Sequence, residues 1–359
     1  MGLPGNPASV LVFEHVTGGG LAGRDLPPSW ASEGRAMLRA IVADFAALPG
    51  VRVMTTVDPR VPFEPPEGVE VLTLAWGETS PIGRLAGEVD FTLLIAPESD
   101  DILRKWADLV EASGGRSLGS SPGAVRLAGD KAAFAHHLIG QGIPTPTTLA
   151  LDDRKPWPGG WDGPVVIKPR WGAGSLDTLI LSDLRRARIL GEGRDFIAQP
   201  YLPGEPRSAS FLVDAAGRPT LLSIGRQRIE VDESGRISYL GGVIEPGLGV
   251  PPDEVLDALD SVVDALPAPS LLGFVGVDYL VDESGRSTVL EINPRPTTSF
   301  VGLTRVFPAG TIAGAWLAAV AGPLAETGWP NRLQAARESS PPVAFDADGT
   351  VRPPGADPR

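Results

Sequence analysis

The 359-residue chain has no cysteine. Disulfides, thiolate metal sites and cysteine nucleophiles are therefore excluded, and a reducing cytoplasm is compatible with that. No apolar stretch reaches the roughly 18 residues of a membrane helix. The N-terminus, Met1 to Asn6, lacks a basic region followed by an apolar run of signal-peptide length. The expectation is a cytoplasmic protein with no membrane partner. Basic charge is in deficit, with 31 Lys and Arg against 44 Asp and Glu, a net −13. The broad basic surface that non-specific nucleic-acid binding needs is thus missing. Such a charge favours solubility, and substrates that reach a locally basic pocket. There is no internal repeat and no functional low-complexity tract. Glycine (44) and proline (37) are abundant, so many loops are expected. Hydrophobic residues at 42% and charged residues at 21% make a globular balance, and the length suits two or three subdomains.

Short apolar runs at 9–13, 51–55, 69–74 and 91–96 alternate with helical patterns at 27–48 and 101–112. Alternation of this kind predicts a parallel sheet with crossovers, an α/β domain over residues 1–122. The pattern then changes. Residues 122–141 read as one helix, capped by Ser120 or Ser121 and stopped by Gly142. Strands at 165–168, 176–181 and 196–199 complete a small α+β subdomain, residues 123–200. Antiparallel-type strands follow at 208–213, 220–224, 274–281 and 287–292, with helices at 254–266 and 309–320. They define a third subdomain, residues 201–338. Residues 339–359 have almost no apolar periodicity and predict a mobile tail.

Chemistry concentrates at four places. In Val289-Leu290-Glu291-Ile292-Asn293-Pro294-Arg295, Glu291 and Asn293 share one strand face, with Leu290 and Ile292 on the other. A carboxylate beside an amide oxygen suits a hard cation such as Mg²⁺. Asp278 offers a third oxygen ligand if the strands flanking the turn 282–286 pair. Val165-Val166-Ile167-Lys168 delivers a lysine from an apolar strand into Gly172-Ala173-Gly174-Ser175. Glycines there let backbone N–H groups approach phosphate oxygens, and the lysine supplies a point charge. The spacing is not that of a P-loop. Gly129-Asp130-Lys131 places a second lysine earlier in the chain. Gln199-Pro200-Tyr201-Leu202-Pro203-Gly204-Glu205 is a strand running into an extended linker that can face an adenine edge, with Glu205 available to ribose hydroxyls.

Ordered along the chain, these segments resemble the ATP-grasp superfamily over roughly residues 120–310. The resemblance implies an α/β ATP-grasp fold: an N-terminal parallel domain, a small lid subdomain and a C-terminal antiparallel subdomain. It implies ATP and Mg²⁺ as cofactors, with Mn²⁺ as a substitute. Lys131 and Lys168 would contact the phosphates, and Gly172, Ala173, Gly174 and Ser175 would cover them. Gln199, Tyr201 and Leu202 would line the adenine, and Glu205 would hold ribose. Asp278, Glu291 and Asn293 would hold one or two metal ions. Arg295 would steady an acyl phosphate or a carboxylate. Arg226 or Arg228 would face the γ-phosphate, the choice staying open.

The segments Val10–Gly20, Ala96–Asp100 and Leu118–Pro122 resemble the tyramine–L-glutamate ligases of methanofuran biosynthesis. Glu14, Thr17 and the glycines 18–20 then sit at the C-terminal end of the first strand, where open α/β sheets bind ligands. His15 reads as a packed or solvated histidine. The activity implied is ATP-dependent joining of a small-molecule carboxylate to an amine through an acyl phosphate, in one-carbon-carrier biosynthesis. A homodimer is compatible with it. The alternatives are a dipeptide or D-Ala–D-Ala type ligase and a non-catalytic nucleotide-binding subunit.

Overall fold

The computed structural model describes residues 8–151, 161, 163–172, 174–191 and 193–352. The chain begins with β1 (Ala8–Glu14), α1 (Pro28–Ala46), β2 (Val51–Val57), β3 (Val69–Thr73), α2 (Ile82–Ala86), β4 (Phe91–Ile95) and α3 (Ile102–Ala112). Its four strands are parallel in the order β3-β2-β1-β4. Val10 and Val12 on β1 pack on α1, whereas Leu11 and Phe13 face α2 and α3. Strands buried on both faces read as unbroken apolar runs, which is why SVLVF and FTLLI stand out in the sequence.

The expected helix at 122–141 is two helices. α4 (Pro122–Gly129) ends at Asp130, whose ψ is 94°, and α5 (Lys131–Gly140) starts anew. The Asp130 carboxylate accepts the amides of Ala132 and Ala133 and caps α5, a use of Asp that competes with helix continuation. Both helices pack against the C-terminal sheet, through Ala124, Ala128, Phe134 and Leu138. The small sheet comprises β5 (Leu149–Ala150), β6 (Val165–Pro169), β7 (Leu179–Leu181) and β8 (Phe196–Pro200), ordered β5-β8-β6-β7, with α6 (Leu184–Gly191) on it. The strand expected from residue 176 begins at Leu179. Ser175 and Asp177, at φ 57° and 51°, hold the preceding residues in a turn.

The large sheet is antiparallel and six-stranded. Its strands are β9 (Glu205–Val213), β10 (Pro219–Val231), β11 (Ile237–Ile244), β12 (Gly273–Val281), β13 (Ser287–Asn293) and β14 (Val343–Asp346), ordered β13-β12-β9-β10-β11-β14. The helices α7 (Asp253–Ala265), α8 (Ser299–Val306), α9 (Thr311–Ala321) and α10 (Trp329–Glu338) cover it. The pentapeptide Asp-Glu-Ser-Gly-Arg closes both the β10–β11 and the β12–β13 hairpins. In each, the Asp carboxylate accepts the amides two and four residues on, and Gly235 or Gly285 adopts positive φ. The expectation of a mobile tail over 339–359 is corrected for the part described. β14 pairs with β11, and Asp346 is ion-paired to Arg228 and Arg352. Four residues of strand are too short to show periodicity, and edge pairing fixes them.

One face of this sheet shares a core with the first domain. Val10, Leu38 and Phe45 join Leu212, Phe274, Phe300 and Trp316. The apolar helices α8 and α9 lie in that core, bent by 108° relative to each other, and no single described helix is long and apolar enough to cross a membrane.

Candidate active site

The site forms where the C-terminal ends of β1 and β4 meet the large sheet. Strands β12 and β13 pair so that Asp278 lies directly opposite Glu291, and Gly276 opposite Asn293. The register shifts at this point, since Tyr279 pairs with Val289 and leaves Leu290 as an extra residue. Strict alternation about Leu290 therefore fails. The bulge keeps Val289 and Ile292 in one core while Glu291 and Asn293 both turn to the site. Bulges beside active sites re-aim side chains in this way.

The Asn293 amide donates to Asp278 Oδ2 at 3.0 Å, and Gln227 Nε2 donates to Oδ1 at 2.7 Å. Burial and the neighbouring Glu291 push the Asp278 carboxyl up to about 7. Burial acts the same way on Glu291, but Lys131 and Lys168 outweigh it and hold that group at about 2. Lys131 Nζ lies 3.0 Å from Glu291 Oε2 and donates to the Gly172 carbonyl at 2.7 Å. The Lys168 ammonium is pulled down by burial, raised by Glu291, and lowered again by Lys131. Two apposed carboxylates with an amide form a hard-oxygen set whose mutual repulsion a divalent cation relieves. The residues thus fit Mg²⁺ or Mn²⁺. Among the described residues no group of three His, Asp or Glu forms another metal cluster.

Asp130 and Arg170 form a second constellation. Arg170 Nε and Nη2 each donate to the Asp130 carboxylate at 2.7 Å, and the Lys131 amide donates to the Arg170 carbonyl at 3.2 Å. The end of β6 is thereby tied to the start of α5, so both lysines approach the same carboxylates. Gly174 has φ 71°, a conformation that favours glycine. Ala173 lies outside the described residues.

At the linker, Gln199 is buried and its amide donates to Thr148 Oγ1 at 2.8 Å. The exposed Tyr201 uses its own N–H on the Pro164 carbonyl. Leu202 is half-buried. Glu205 accepts from Arg207 Nε at 2.6 Å. Arg226 pairs with Glu245 at 2.6 Å and lies 3.8 Å from Glu205, and Arg228 pairs with Asp346. Neither arginine lies on the Asp278 contact. The β10 residue that does is Gln227, between them, which alternation turns to the opposite face. That signal was in the sequence, in Gly225-Arg226-Gln227-Arg228.

From the first domain, Glu98 follows β4 and grips Arg295 through two bonds of 2.9 Å. Burial disfavours the Arg295 charge, but Glu98 more than offsets this and holds its pKa above the ordinary value. Glu14 turns its oxygens onto the amides of Val16 and Thr17, and burial pushes it up to about 7. His15 is packed: its Nδ1 accepts from Trp106 and burial lowers its pKa to about 4.

Residues 128–299 match the family described as ATP-grasp domain, and residues 51–125 match that described as pre ATP-grasp 3 domain. The chain is an ATP-grasp protein. It is 26% identical over 298 residues to tyramine–L-glutamate ligase of Methanocaldococcus jannaschii, covering 82% of this chain and 84% of that one. Against the Methanocaldococcus fervens enzyme of the same name the identity is 27%, covering 82% and 89%. A solved ATP-grasp superfamily structure from Archaeoglobus fulgidus superposes with a TM-score of 0.63, at 24% identity, over 87% of this chain and 89% of that one. This ATP-grasp protein is accordingly a ligase, an enzyme that forms C–N bonds from a carboxylate and an amine at the expense of ATP.

Proposed function

We propose that this ATP-grasp ligase joins L-glutamate to tyramine, or to tyrosine or a related amine, in the biosynthesis of a methanofuran-type one-carbon carrier. The observation that carries the catalytic part is the opposed Asp278–Glu291 pair with Lys131 against it. The substrate part is supported by the similarity to the two tyramine–L-glutamate ligases across both domains.

Asp278, Glu291 and Asn293 would hold Mg²⁺, which when bound offsets charge on phosphate oxygens. Lys131 and Lys168 bring fixed positive charge to the same place, where transferring phosphoryl oxygens gain charge. Residues 172–175 would cover the activated carboxylate and exclude water from it. Arg295, held in place by its two hydrogen bonds to Glu98, would orient the carboxylate. In the transfer, a carboxylate oxygen bonds to the γ-phosphorus and ADP departs. The amine nitrogen then bonds to the acyl carbon, phosphate leaves, and the nitrogen loses a proton. No side-chain nucleophile is required.

The test is ADP release with MgATP, L-glutamate and tyramine or tyrosine, leaving out each in turn, with Glu291→Ala alongside. Release that needs both organic substrates and falls by roughly a hundredfold or more in the variant is expected. Binding of ATP without turnover on any of these pairs would refute the substrate assignment.

A further inference from the structure

Strands β10 and β11 run on past the large sheet as a two-stranded arm. Pairing of β10 with β9 stops at Arg226 opposite Arg207, and pairing of β11 with β14 stops at Gly241 opposite Asp346. Beyond them the arm consists of the rungs Ile229–Tyr239, Glu230–Ser238 and Val231–Ile237. A bulge marks its departure, since the register shifts between Arg228 and Ile229 and leaves Leu240 as an extra residue. Bulges bend the strand that carries them. Arg228 braces this bend: its Nη2 donates to the carbonyls of Leu240 at 2.8 Å and Phe345 at 3.2 Å. The residue before it is Gln227, whose amide donates to Asp278. The arm therefore springs from beside the carboxylates proposed to hold the metal.

The tip of the arm reaches the small sheet. The Ile180 N–H donates to the Gly235 carbonyl at 2.7 Å, and the Ile237 N–H donates to the Thr178 carbonyl at 2.9 Å. Leu179 thus lies opposite Arg236 in an antiparallel bridge. β7 is the edge strand of that sheet, next to β6, which carries Lys168. The approach is close: a Cβ on Gly235 would lie 2.2 Å from the Ile180 carbonyl oxygen. Turn chemistry does not account for it. The β12–β13 hairpin has the same pentapeptide and the same positive φ at Gly285, yet a Cβ there would meet nothing within 4 Å.

The small sheet is also tied at the end of β6, where Arg170 grips Asp130 through two bonds. Lys168 lies between these two tethers, and they differ in strength. The Arg170 clasp is bidentate and charged. The arm contributes two neutral backbone hydrogen bonds, which together bias an equilibrium by roughly five- to a hundredfold. That is enough to favour contact and little enough to be broken at every turnover. We infer that the β10–β11 arm is the latch of the nucleotide cleft. It parts from β7 to admit ATP, rejoins it to hold the Lys168 strand against the large sheet, and parts again to release ADP. This rests on the nucleotide-binding part of the ligase reading and adds the element that governs nucleotide release.

The chain has no cysteine, so a pair introduced across the latch meets no competing thiol. Leu179 and Arg236 exchange no hydrogen bond with each other while their neighbours do, and the Cα atoms of such pairs lie about 4.5 Å apart, within disulfide range. Full-length protein with Leu179→Cys and Arg236→Cys is loaded with MgADP and then oxidised. We expect it to release ADP at least about tenfold more slowly than the same protein after reduction. Two single variants probe the opposite direction. Gly235→Ala and Gly285→Ala each put a methyl group at positive φ and share that strain, but Gly235→Ala alone meets the small sheet. Its ADP release should be about tenfold or more faster than that of Gly285→Ala. Equal release from oxidised and reduced protein would overturn the latch, as would equal release from the two alanine variants. Wild-type protein that binds no MgADP would refute the nucleotide site itself, and the latch with it.

Discussion

Gln227 shows how much a single neutral side chain sets at this site. Its amide donates 2.7 Å to Asp278 Oδ1 while Asn293 occupies Oδ2, so both oxygens of the carboxylate proposed to hold the metal are aimed from outside. Groups that orient a metal ligand typically matter tenfold to a hundredfold. Gln227→Ala should therefore raise the Mg²⁺ concentration for half-maximal ADP release by about that factor, with little change in the melting temperature. An unaltered Mg²⁺ dependence would show that Asp278 needs no such support. The carboxylates and lysines of this site were readable in the sequence because each stands out against apolar strand residues. Gln227 and Glu98 were not singled out. Alternation turns Gln227 to the face opposite Arg226 and Arg228, but what it meets there lies 51 residues away, and the partner of Glu98 lies 197 residues away.

Among the elements, the break between α4 and α5 bears most on catalysis. A helix running through Asp130 would carry Lys131 on round its axis. The break instead lets Asp130 cap α5 and clasp Arg170 while the Lys131 amide bonds the Arg170 carbonyl. Asp130→Ala removes a cap worth about 1 kcal/mol and the bidentate partner of Arg170. We expect the KM for ATP to rise about tenfold or more and the melting temperature to fall by a few degrees. A variant with lower stability and unchanged KM would assign Asp130 to folding alone. The periodicity of 122–141 concealed the break because each half keeps helical spacing by itself, Val125 with Ala128 and Phe134 with Leu138. Only the capping geometry separates the two halves. Strand β14 was hidden differently: its place depends on the exposed edge of β11, which its own four residues do not specify.

For the whole molecule, the decisive contact is the one between the first domain and α9. The Asp44 carboxylate on α1 is buried and accepts the amides of Gly310 and Ala313, at the start of α9. Burial pushes it from 3.8 up to about 6 despite those bonds. The folded-state value is above the unfolded one, so the folded chain holds the proton more tightly. The stabilisation is complete below about pH 4 and is lost as pH rises through 6. A shift of this size corresponds to roughly 3 kcal/mol. Asp44→Asn, neutral at every pH, should gain on the wild type as pH is raised from 4 to 7. Melting temperatures of the two proteins across that range test this, and a pH-independent difference would sink it. The same interface holds Glu98 against Arg295, so loosening it should also slow ligation.

The sequence by itself determined the order of α/β and antiparallel segments, the hairpin that pairs Asp278 with Glu291, and the two lysines that serve them. Those features rest on local rules: apolar runs for buried strands, Asp-Glu-Ser-Gly-Arg for tight turns, and period two for a shared face. Tertiary structure alone decided which arginines are engaged elsewhere, with Glu245 and Asp346 rather than beside Asp278. It also decided that Leu290 bulges, and that Glu98 of the first domain holds Arg295. The reason is physical. A charge or a carboxylate finds its partner through space, and here those partners come from elements far apart in the chain.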